Sequence, residues 1–430
     1  DCKIMAAEFR FQGFIAALNS LKCANNPGMV GELEYGRLKT PDAHAEVFKQ
    51  LTDNLKTSQV TEVDFSSCGI GPVALGHLSE WVRDAEAAVA RLILDENPLT
   101  GGTRSTDFDK DITGVVNLCD TLKTSSVTEL SLVKCRLGPG SMGKLAEYVR
   151  DAEAAVARLT LSGNPIGAAR ALVTNGATTG VPVTKGVFGS VGGRWAEVTY
   201  LDDSTYVAGK TYVGIHWLDT GQEAESTYYT FEVVVASRAD LSQDYSHMEQ
   251  LGQAVTSITS LDLADCQLNS DSLAGFVRSV TWAEAALNSL KCGNNPSMVG
   301  ELEYGTLKTS DAHAEIFKRL TDGLKTSQVT EADFSACGLG PVALGHLSEW
   351  VRDAEAALTS MNCLNNPLGE GVHTIIKVFE ETPRIRTLCG LEEGVEQIDW
   401  SKSGKGPADV ALLAAEVKAG RAAAALTSLN

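Results

Sequence analysis

The feature that most constrains this chain is a leucine-rich skeleton that recurs along its length. It reads LxxLxLxx(N/C)xL, with other aliphatic or aromatic residues in place of leucine, as in Val60, Val63, Phe65, Cys68 and Ile70. One such unit cannot bury its apolar face alone, so neighbouring units must stack to form a continuous core. The chain is therefore predicted to be one repeat array of ten units. These units start at positions 18, 60, 89, 127, 156, 258, 287, 329, 358 and, in degraded form, 395.

Each unit contains the pattern of a strand and then that of a helix. Alternation of buried and exposed residues in the LxL core is typical of a strand with one buried face. The segment 72–88 follows Gly71, begins with Pro72 and has apolar residues at helical spacing, which predicts an α-helix. The repeated unit is therefore strand, turn and helix, and the fold class is α/β.

A recent duplication divides the array. Residues 16–88 recur as 285–357, and only ten of those 73 positions differ. The repeat pattern continues after the first copy and stops only between the units that start at 156 and 258, where a segment of different composition follows. We therefore divide the chain into leucine-rich repeats over 1–174, an insert over 175–236, and leucine-rich repeats over 237–430.

The position that follows each predicted strand alternates between asparagine and cysteine. At this bend an inward side chain can hydrogen-bond backbone groups that burial would otherwise leave unpaired. We expect these residues to form a structural ladder along the array. Its members are Asn26, Cys68, Asn97, Cys135, Asn164, Cys266, Asn295, Cys337 and Asn366.

This alternation, in units of 28 to 29 residues, resembles the ribonuclease-inhibitor-like subfamily of leucine-rich-repeat proteins. The resemblance covers residues 18–174 and 237–430. It implies a right-handed horseshoe solenoid, with parallel strands on the concave face and helices on the convex face. The superfamily includes inhibitors, innate-immune sensors and GTPase activators, so the resemblance indicates fold more than function.

The insert is rich in aromatic and β-branched residues. Nine of the 27 aromatic residues of the chain lie between positions 184 and 236, in runs that predict four or five short strands. We expect a small all-β barrel. The order GlyArgTrpAlaGluValThr (193–199), a polar loop and then HisTrpLeuAspThrGly (216–221) resembles SH3-like barrels of the Tudor type. In such domains an aromatic cage can bind methylated lysine or arginine by cation–π attraction, although the same rings can simply form the barrel core. The candidates are Trp195, Tyr200, Tyr212, Trp217 and Tyr228.

Charge and cysteine usage limit the choice of partner. A formal net charge of -19 disfavours binding to nucleic acid and to anionic membrane surfaces. The ten cysteines form no CxxC pair and no Cys/His cluster with metal-ligand spacing, so they are predicted to be reduced core residues. We expect a cytoplasmic or other reducing intracellular location, with no metal, no cofactor and no membrane insertion.

One segment imitates a nucleotide-binding motif. Residues 138–144 match GxxxxGK, but Leu145 stands where a phosphate-binding loop needs serine or threonine to coordinate Mg²⁺. The sister segment 69–77 lacks the lysine, so the glycines are expected to serve the strand-to-helix turn. No spacing indicates a catalytic Ser/His/Asp or Cys/His set, and we expect a protein that is not an enzyme.

Acidic residues predominate at the variable positions of the predicted strands. Either they are ordinary solvated charges, or they form a docking surface for a basic protein or for part of a multi-subunit complex. The leading expectation is thus a non-catalytic protein-binding scaffold. One alternative is a GTPase-activating regulator of the Ran-activator type, for which Arg91 and Arg158 are candidates, and another is a methyl-lysine or methyl-arginine reader acting through the insert. The acidic residues are Glu62, Asp64, Asp95, Glu96, Glu129, Asp262, Asp265, Glu331 and Asp333, with Lys22, Lys134 and Lys291 as basic exceptions.

Overall fold

The structure is a computed structural model. The residues it describes are 3, 5, 18–85, 88–104, 107–151, 156–173, 183, 185–191, 194–201, 211–217, 223–229, 234–235, 237, 241–303, 305–353, 358–401 and 403–429.

A nine-stranded parallel sheet runs through the described repeats. Its spatial order follows the chain order, so that each strand pairs with the next one along the sequence. The middle residue of each three-residue strand is buried, as the LxL pattern predicts, and Leu92 and Leu130 are typical. The strands are β1 (Ser20–Lys22), β2 (Glu62–Asp64), β3 (Arg91–Ile93), β4 (Glu129–Ser131), β5 (Arg158–Thr160), β6 (Ser260–Asp262), β7 (Ser289–Lys291), β8 (Glu331–Asp333) and β9 (Ser360–Asn362).

Helices connect the strands, which confirms the α/β class. The helix that begins at Pro72 shows why these segments are helical, because it starts with proline after Gly71 and buries Leu75, Leu78 and Trp81 at helical spacing. Ten α-helices lie within the described residues. They are α1 (Ala45–Leu55), α2 (Pro72–Asp84), α3 (Thr113–Leu122), α4 (Pro139–Asp151), α5 (Ser246–Ala254), α6 (Ser270–Ser279), α7 (Ala314–Leu324), α8 (Pro341–Asp353), α9 (Gly371–Glu381) and α10 (Pro407–Ala419).

One hydrophobic core cluster extends along the array. The nine cysteines in the described part of the chain are buried and form no disulfide. Burial raises the pKa of the Cys119 thiol to about 12 because the thiolate loses its hydration. These thiols therefore pack as small apolar groups and are poor nucleophiles at neutral pH.

The insert leaves the repeat array without breaking its sheet. Strand β5 pairs directly with β6, although residues 161–259 separate them in sequence. The chain leaves and re-enters the array through an antiparallel pair, Arg170–Val173 with Leu241–Asp244. Beyond this pair, Nε2 of buried His247 donates to the carbonyl of Ile166 at 2.7 Å. The two repeat halves thus share one sheet.

The insert contains a five-stranded antiparallel sheet with a small core around Val198, Val213 and Ile215. The predicted barrel is not closed within the described residues. The two edge strands of this sheet each pair with a single neighbour, and the last strand is only two residues long. In spatial order the strands are Glu223–Tyr229, Thr211–Trp217, Arg194–Leu201, Phe188–Val191 and Val234–Val235.

The tenth predicted repeat has a strand at the expected position, but that strand does not join the nine-stranded sheet. Its expected strand, Gln397–Ile398, pairs with Ser428–Leu429 in a separate two-stranded sheet. The position beside β9 is instead taken by residues 387–389, through bridges from Ser360 to Thr387 and from Asn362 to Cys389. This segment follows Ile385 and belongs to an unrecognised copy of the skeleton.

A buried carboxylate holds that segment in place. Glu416 of α10 accepts hydrogen bonds from the Thr387 hydroxyl at 2.9 Å, from the Cys389 N–H at 2.7 Å, and from the Leu388 N–H. Burial raises the pKa of Glu416, while these donors act in the opposite direction.

Two β-hairpins lie between strand and helix in the longest repeats, in segments for which the sequence analysis predicted no strand. The first joins Glu32–Glu34 to Arg37–Thr40, and its duplicate joins Glu301–Glu303 to Thr306–Thr309. No helix in the described part of the chain is both long enough and apolar enough to cross a bilayer.

Candidate functional site

The face of the nine-stranded sheet that carries the exposed strand residues, here called the sheet face, is the candidate site. Parallel register aligns the outer residues of the strands into two rows on either side of the buried middle residues. The first row contains Ser20, Glu62, Arg91, Glu129, Arg158, Ser260, Ser289, Glu331 and Ser360. The second contains Lys22, Asp64, Ile93, Ser131, Thr160, Asp262, Lys291, Asp333 and Asn362.

The register brings two arginines into the first row. Nε of Arg91 lies 3.0 Å from Oε1 of Glu129, without the alignment of a hydrogen bond, and Nη1 of Arg158 lies 3.8 Å from Oε2 of the same glutamate. Ion pairs this exposed stabilise a protein only weakly, but they neutralise charge locally. With these arginines and three lysines against nine acidic residues, the face is mixed in charge rather than uniformly acidic.

The aspartates of the second row serve the turns that follow their strands. Asp64 accepts hydrogen bonds from the Ser66 N–H at 2.9 Å and its hydroxyl at 2.6 Å. Asp262 and Asp333 likewise accept from the N–H two residues on, at 2.9 and 2.8 Å. Such bonds are typical of Asx turns. These carboxylates therefore stabilise the fold, whatever they also contact.

The turns hold the remaining predicted acids. Oδ1 of Asp95 accepts from the Ser131 hydroxyl at 2.7 Å and the Val133 N–H at 2.9 Å, both in the next repeat. Glu96 accepts from the Ser67 hydroxyl at 2.9 Å, and its Oε1 lies 3.9 Å from Nζ of Lys134.

Partial burial changes the acidity of two of these groups. Desolvation raises the pKa of Asp262, and the nearby Asp333 adds to the effect, whereas the Ala264 N–H and Lys291 oppose it. Desolvation also raises the pKa of Asp265. A cationic group that approached this part of the face would favour the ionised forms.

Two glutamates are the acids most available to a partner. The side chains of Glu62 and Glu331 are exposed and make no hydrogen bond or ion pair with the part of the chain that the structure describes. Both lie in the first row, Glu62 on β2 and Glu331 on β8, towards opposite ends of the sheet. Their separation makes the face suited to an extended contact.

A groove of about 560 Å³ lies at the β9 end of the sheet face. Lys291, Glu331 and Asp333 line it from the sheet, and Arg386 and Glu393 line it from the segment that follows α9. Nη2 of Arg386 lies 3.1 Å from Oε2 of Glu393, so that side of the groove has its own ion pair. The groove is polar, in keeping with the rest of the face.

The asparagine and cysteine ladder lies beneath the face. Oδ1 of Asn97 accepts from the N–H groups of Cys68 and Ile70 at 2.9 and 3.0 Å, and its Nδ2 donates to the Phe65 carbonyl at 2.8 Å. Cys68 in turn donates from Sγ to the Cys23 carbonyl at 3.0 Å. Each of these side chains therefore reaches back to the preceding repeat, which fixes the spacing of the strands. Asn295 and Asn366 make the same bonds, Asn164 accepts from the Leu137 N–H and donates to the Leu132 carbonyl, and Cys135, Cys266 and Cys337 each donate as Cys68 does.

The segment that imitates a phosphate-binding loop has its anion position filled by the protein itself. The carboxylate of Asp109 accepts from the N–H groups of Gly138 and Gly140 at 2.9 and 2.7 Å, at the start of α4. Asp42 and Asp311 cap α2 and α8 in the same way from the preceding repeat. The backbone donors that a phosphate would need are thus already occupied.

The aromatic candidates of the insert are only partly described. Trp195 is buried, with 7% of its surface exposed, as expected of a ring in a packed core. The side chains of Tyr200, Tyr212, Trp217 and Tyr228 lie outside the described residues. Among the described residues, no group of three or more His, Cys, Asp or Glu side chains is arranged to hold a metal ion.

Comparison with known proteins gives no assignment. No protein-family model matches the chain, and no curated protein matches it.

Proposed function

We propose that this chain is a leucine-rich-repeat solenoid of the ribonuclease-inhibitor-like subfamily that binds a partner protein on its sheet face. The strand order that follows the chain order and the alternating ladder of asparagine and cysteine support the family proposal. A scaffold of this kind works either alone or as a peripheral subunit of a larger assembly.

The observation that carries the binding proposal is the pair of continuous rows on the sheet face. A parallel sheet whose strands are all three residues long presents an extended and regular surface, with charges at fixed spacing. Glu62 and Glu331 offer unpaired negative charge towards its two ends, and a basic partner of matching spacing would complement both. Charge at such positions contributes to partner selection and association rate more than to raw affinity.

The test is a charge reversal with a matched control. Glu62→Lys combined with Glu331→Lys changes the sheet face without removing a hydrogen bond within the described residues. Glu46→Lys combined with Glu349→Lys makes the same change in net charge on exposed helical residues that form no ion pair within the described residues. Proteins captured from a native lysate are then quantified for the wild type and both variants.

The sheet-face variant is expected to lose bound protein by about tenfold or more, corresponding to roughly 0.7 kcal/mol per reversed charge. The helix variant should capture as much as the wild type, because its charge change lies elsewhere. If both variants retain the same proteins in equal amounts, the sheet face is not the docking surface. If the proteins that the wild type captures and the sheet-face variant loses are structural proteins, this would support a role as a peripheral subunit of a larger assembly.

A GTPase-activating function is the second candidate, because Arg158 projects from the sheet face with 67% of its side chain exposed. An arginine that stabilises the transition state of GTP hydrolysis is worth about a thousandfold or more in rate. If a small GTPase is captured, Arg158→Ala should abolish any stimulation of its hydrolysis, whereas Arg150→Ala on α4 should not. An unchanged rate with Arg158→Ala would exclude this role.

The third candidate function is a reader of methylated lysine or arginine that acts through the insert. The burial of Trp195 favours a core role for that ring. A methyl-lysine peptide array probed with the chain would test this reading directly.

We also propose a reducing compartment. The support is chemical, because nine buried cysteines without disulfides suit a location where thiols stay reduced.

A further inference from the structure

The first hairpin ends in a tyrosine that contacts almost nothing. Tyr35 is 98% exposed, at the tip between Glu32–Glu34 and Arg37–Thr40. Tyr35 and Gly36 both have positive φ, 50° and 76°, which is the pattern of a two-residue type I′ turn. The phenol is therefore accessible from every side that the strands leave open.

The conformation of Tyr35 is unfavourable for a large side chain. A residue other than glycine or asparagine with positive φ costs about 1 to 2 kcal/mol, and here no buried contact of the ring offsets that cost. The duplicated hairpin has the same residue pair, Tyr304 and Gly305, after Glu301–Glu303. Gly305 has φ of 75°, whereas Tyr304 itself lies outside the described residues. An exposed aromatic in a strained turn is more readily explained by use than by folding.

We propose that Tyr35 is a phosphorylation site for a protein tyrosine kinase that recognises the acidic residues before it. Glu32 and Glu34 are exposed and lie three and one positions before the tyrosine. Oε1 of Glu34 lies 3.0 Å from Nζ of Lys39, so Lys39 partly offsets its charge. Within the described residues, Glu32 accepts only a hydrogen bond from the Thr40 hydroxyl, at 3.4 Å. Glu32 therefore offers the less compensated negative charge, to which a kinase with a basic substrate groove is complementary.

The backbone before Tyr35 also has a conformation that a kinase could bind. Glu32–Glu34 is extended and pairs only with Arg37–Thr40 within the described residues, which leaves its other edge able to pair with a strand of the kinase. Tyr148, by contrast, is fully buried in α4 and offers no such access.

The reaction is an ordinary phosphoryl transfer. Oη of Tyr35 attacks the γ-phosphorus of a nucleoside triphosphate bound by the kinase, and an O–P bond forms. The bond from that phosphorus to the nucleoside diphosphate breaks, and the phenolic proton passes to a base of the kinase. The product places about two negative charges and three acceptor oxygens at the hairpin tip, which an arginine-containing pocket can bind.

The test uses the full chain, ATP with Mg²⁺ and a tyrosine kinase domain that prefers acidic substrates. Trypsin releases Tyr35 in residues 23–37 and Tyr304 in residues 292–308, and these peptides differ in mass, so each tyrosine is read separately. We expect phosphate on the first peptide, and its loss in Tyr35→Phe. Replacing Glu32 and Glu34 with glutamine should slow the reaction at Tyr35 by about threefold to tenfold, roughly the worth of one to two exposed charge pairs, with the far-UV circular dichroism unchanged.

Two results would overturn the proposal. One is phosphate on other tyrosines while Tyr35 stays unmodified. The other is an unchanged rate in the glutamine variant, which would show that the acidic residues are not recognised. Tyr148 is the internal control for folding, because it should accept phosphate only after denaturation.

Discussion

The asparagines of the ladder give the sharpest stability prediction, because the same residue type occurs both inside the array and at an exposed position. Asn295 is buried, and its Oδ1 accepts from the N–H groups of Cys266 and Leu268 at 3.0 and 2.9 Å. Asn26 is exposed and, within the described residues, donates only to carbonyls of its own turn. Comparing alanine substitutions at the two positions therefore separates the effect of the hydrogen bonds between repeats from the general effect of replacing an asparagine.

The expected magnitudes differ several-fold. Asn295→Ala leaves two buried N–H groups unpaired at about 1 to 3 kcal/mol each, so the free energy of unfolding should fall by roughly 2 to 6 kcal/mol. Cys266→Ala removes one weak bond, from Sγ to the Leu161 carbonyl at 3.3 Å, and a small volume of side chain. It should cost about 1 to 2 kcal/mol. Asn26→Ala should cost less than about 1 kcal/mol, as is usual at exposed sites.

Urea unfolding followed by far-UV circular dichroism measures these differences as shifts in midpoint at constant slope. The order of stability loss should be Asn295→Ala, then Cys266→Ala, then Asn26→Ala. If Asn26→Ala destabilises the chain as much as Asn295→Ala, the bridging bonds do not contribute as argued. A loss for Asn295→Ala below that for Cys266→Ala would refute the reasoning in the same way.

Two further predictions concern carboxylates. Because burial raises the pKa of Glu416 above its ordinary value of 4.5, the folded state keeps this proton at pH values where the unfolded chain releases it. The contribution of Glu416 to stability should therefore fall as the pH rises from 4.5 through the folded pKa. Glu416→Gln should remove that part of the pH dependence. If the urea midpoints of the two proteins follow parallel profiles against pH, this prediction is contradicted. Asp109→Ala removes the cap of α4 and should lower stability by about 0.5 to 2 kcal/mol. Asp107→Ala, whose carboxylate lies 3.0 Å from Nζ of Lys110 in a pair three residues apart, should change the urea midpoint much less, and an equal effect would argue against the cap.

The parts of the fold that the sequence predicted are those with a short, repeated signal. The LxL core and the asparagine or cysteine after it lie within ten residues, and they indicated the strands and the bends. The unit around Ile385 escaped because its skeleton lacks the asparagine or cysteine at the expected position. The hairpin at Glu32–Glu34 escaped because its strands show no run of alternating apolar residues.

The site was harder to predict than the fold because it depends on register. The sequence pattern places Glu129 among the residues of an acidic surface, whereas the pairing of β3, β4 and β5 sets it between Arg91 and Arg158. The cap by Asp109 links residues 29 and more positions apart, so no local pattern shows it. The turn role of Asp64 could have been found, since an aspartate side chain at a turn commonly accepts a hydrogen bond from the N–H two residues on.

The antiparallel pair formed by Arg170–Val173 and Leu241–Asp244 has a consequence for how such a chain can be altered. Its register sets Val173 directly opposite Leu241, so the segment between them begins and ends at adjacent points. A loop or a foreign module whose own ends lie side by side can replace that segment and leave β5 paired with β6. This junction is therefore a suitable insertion site, where one inserted domain can be exchanged for another while the strands of the sheet face on either side keep their spacing.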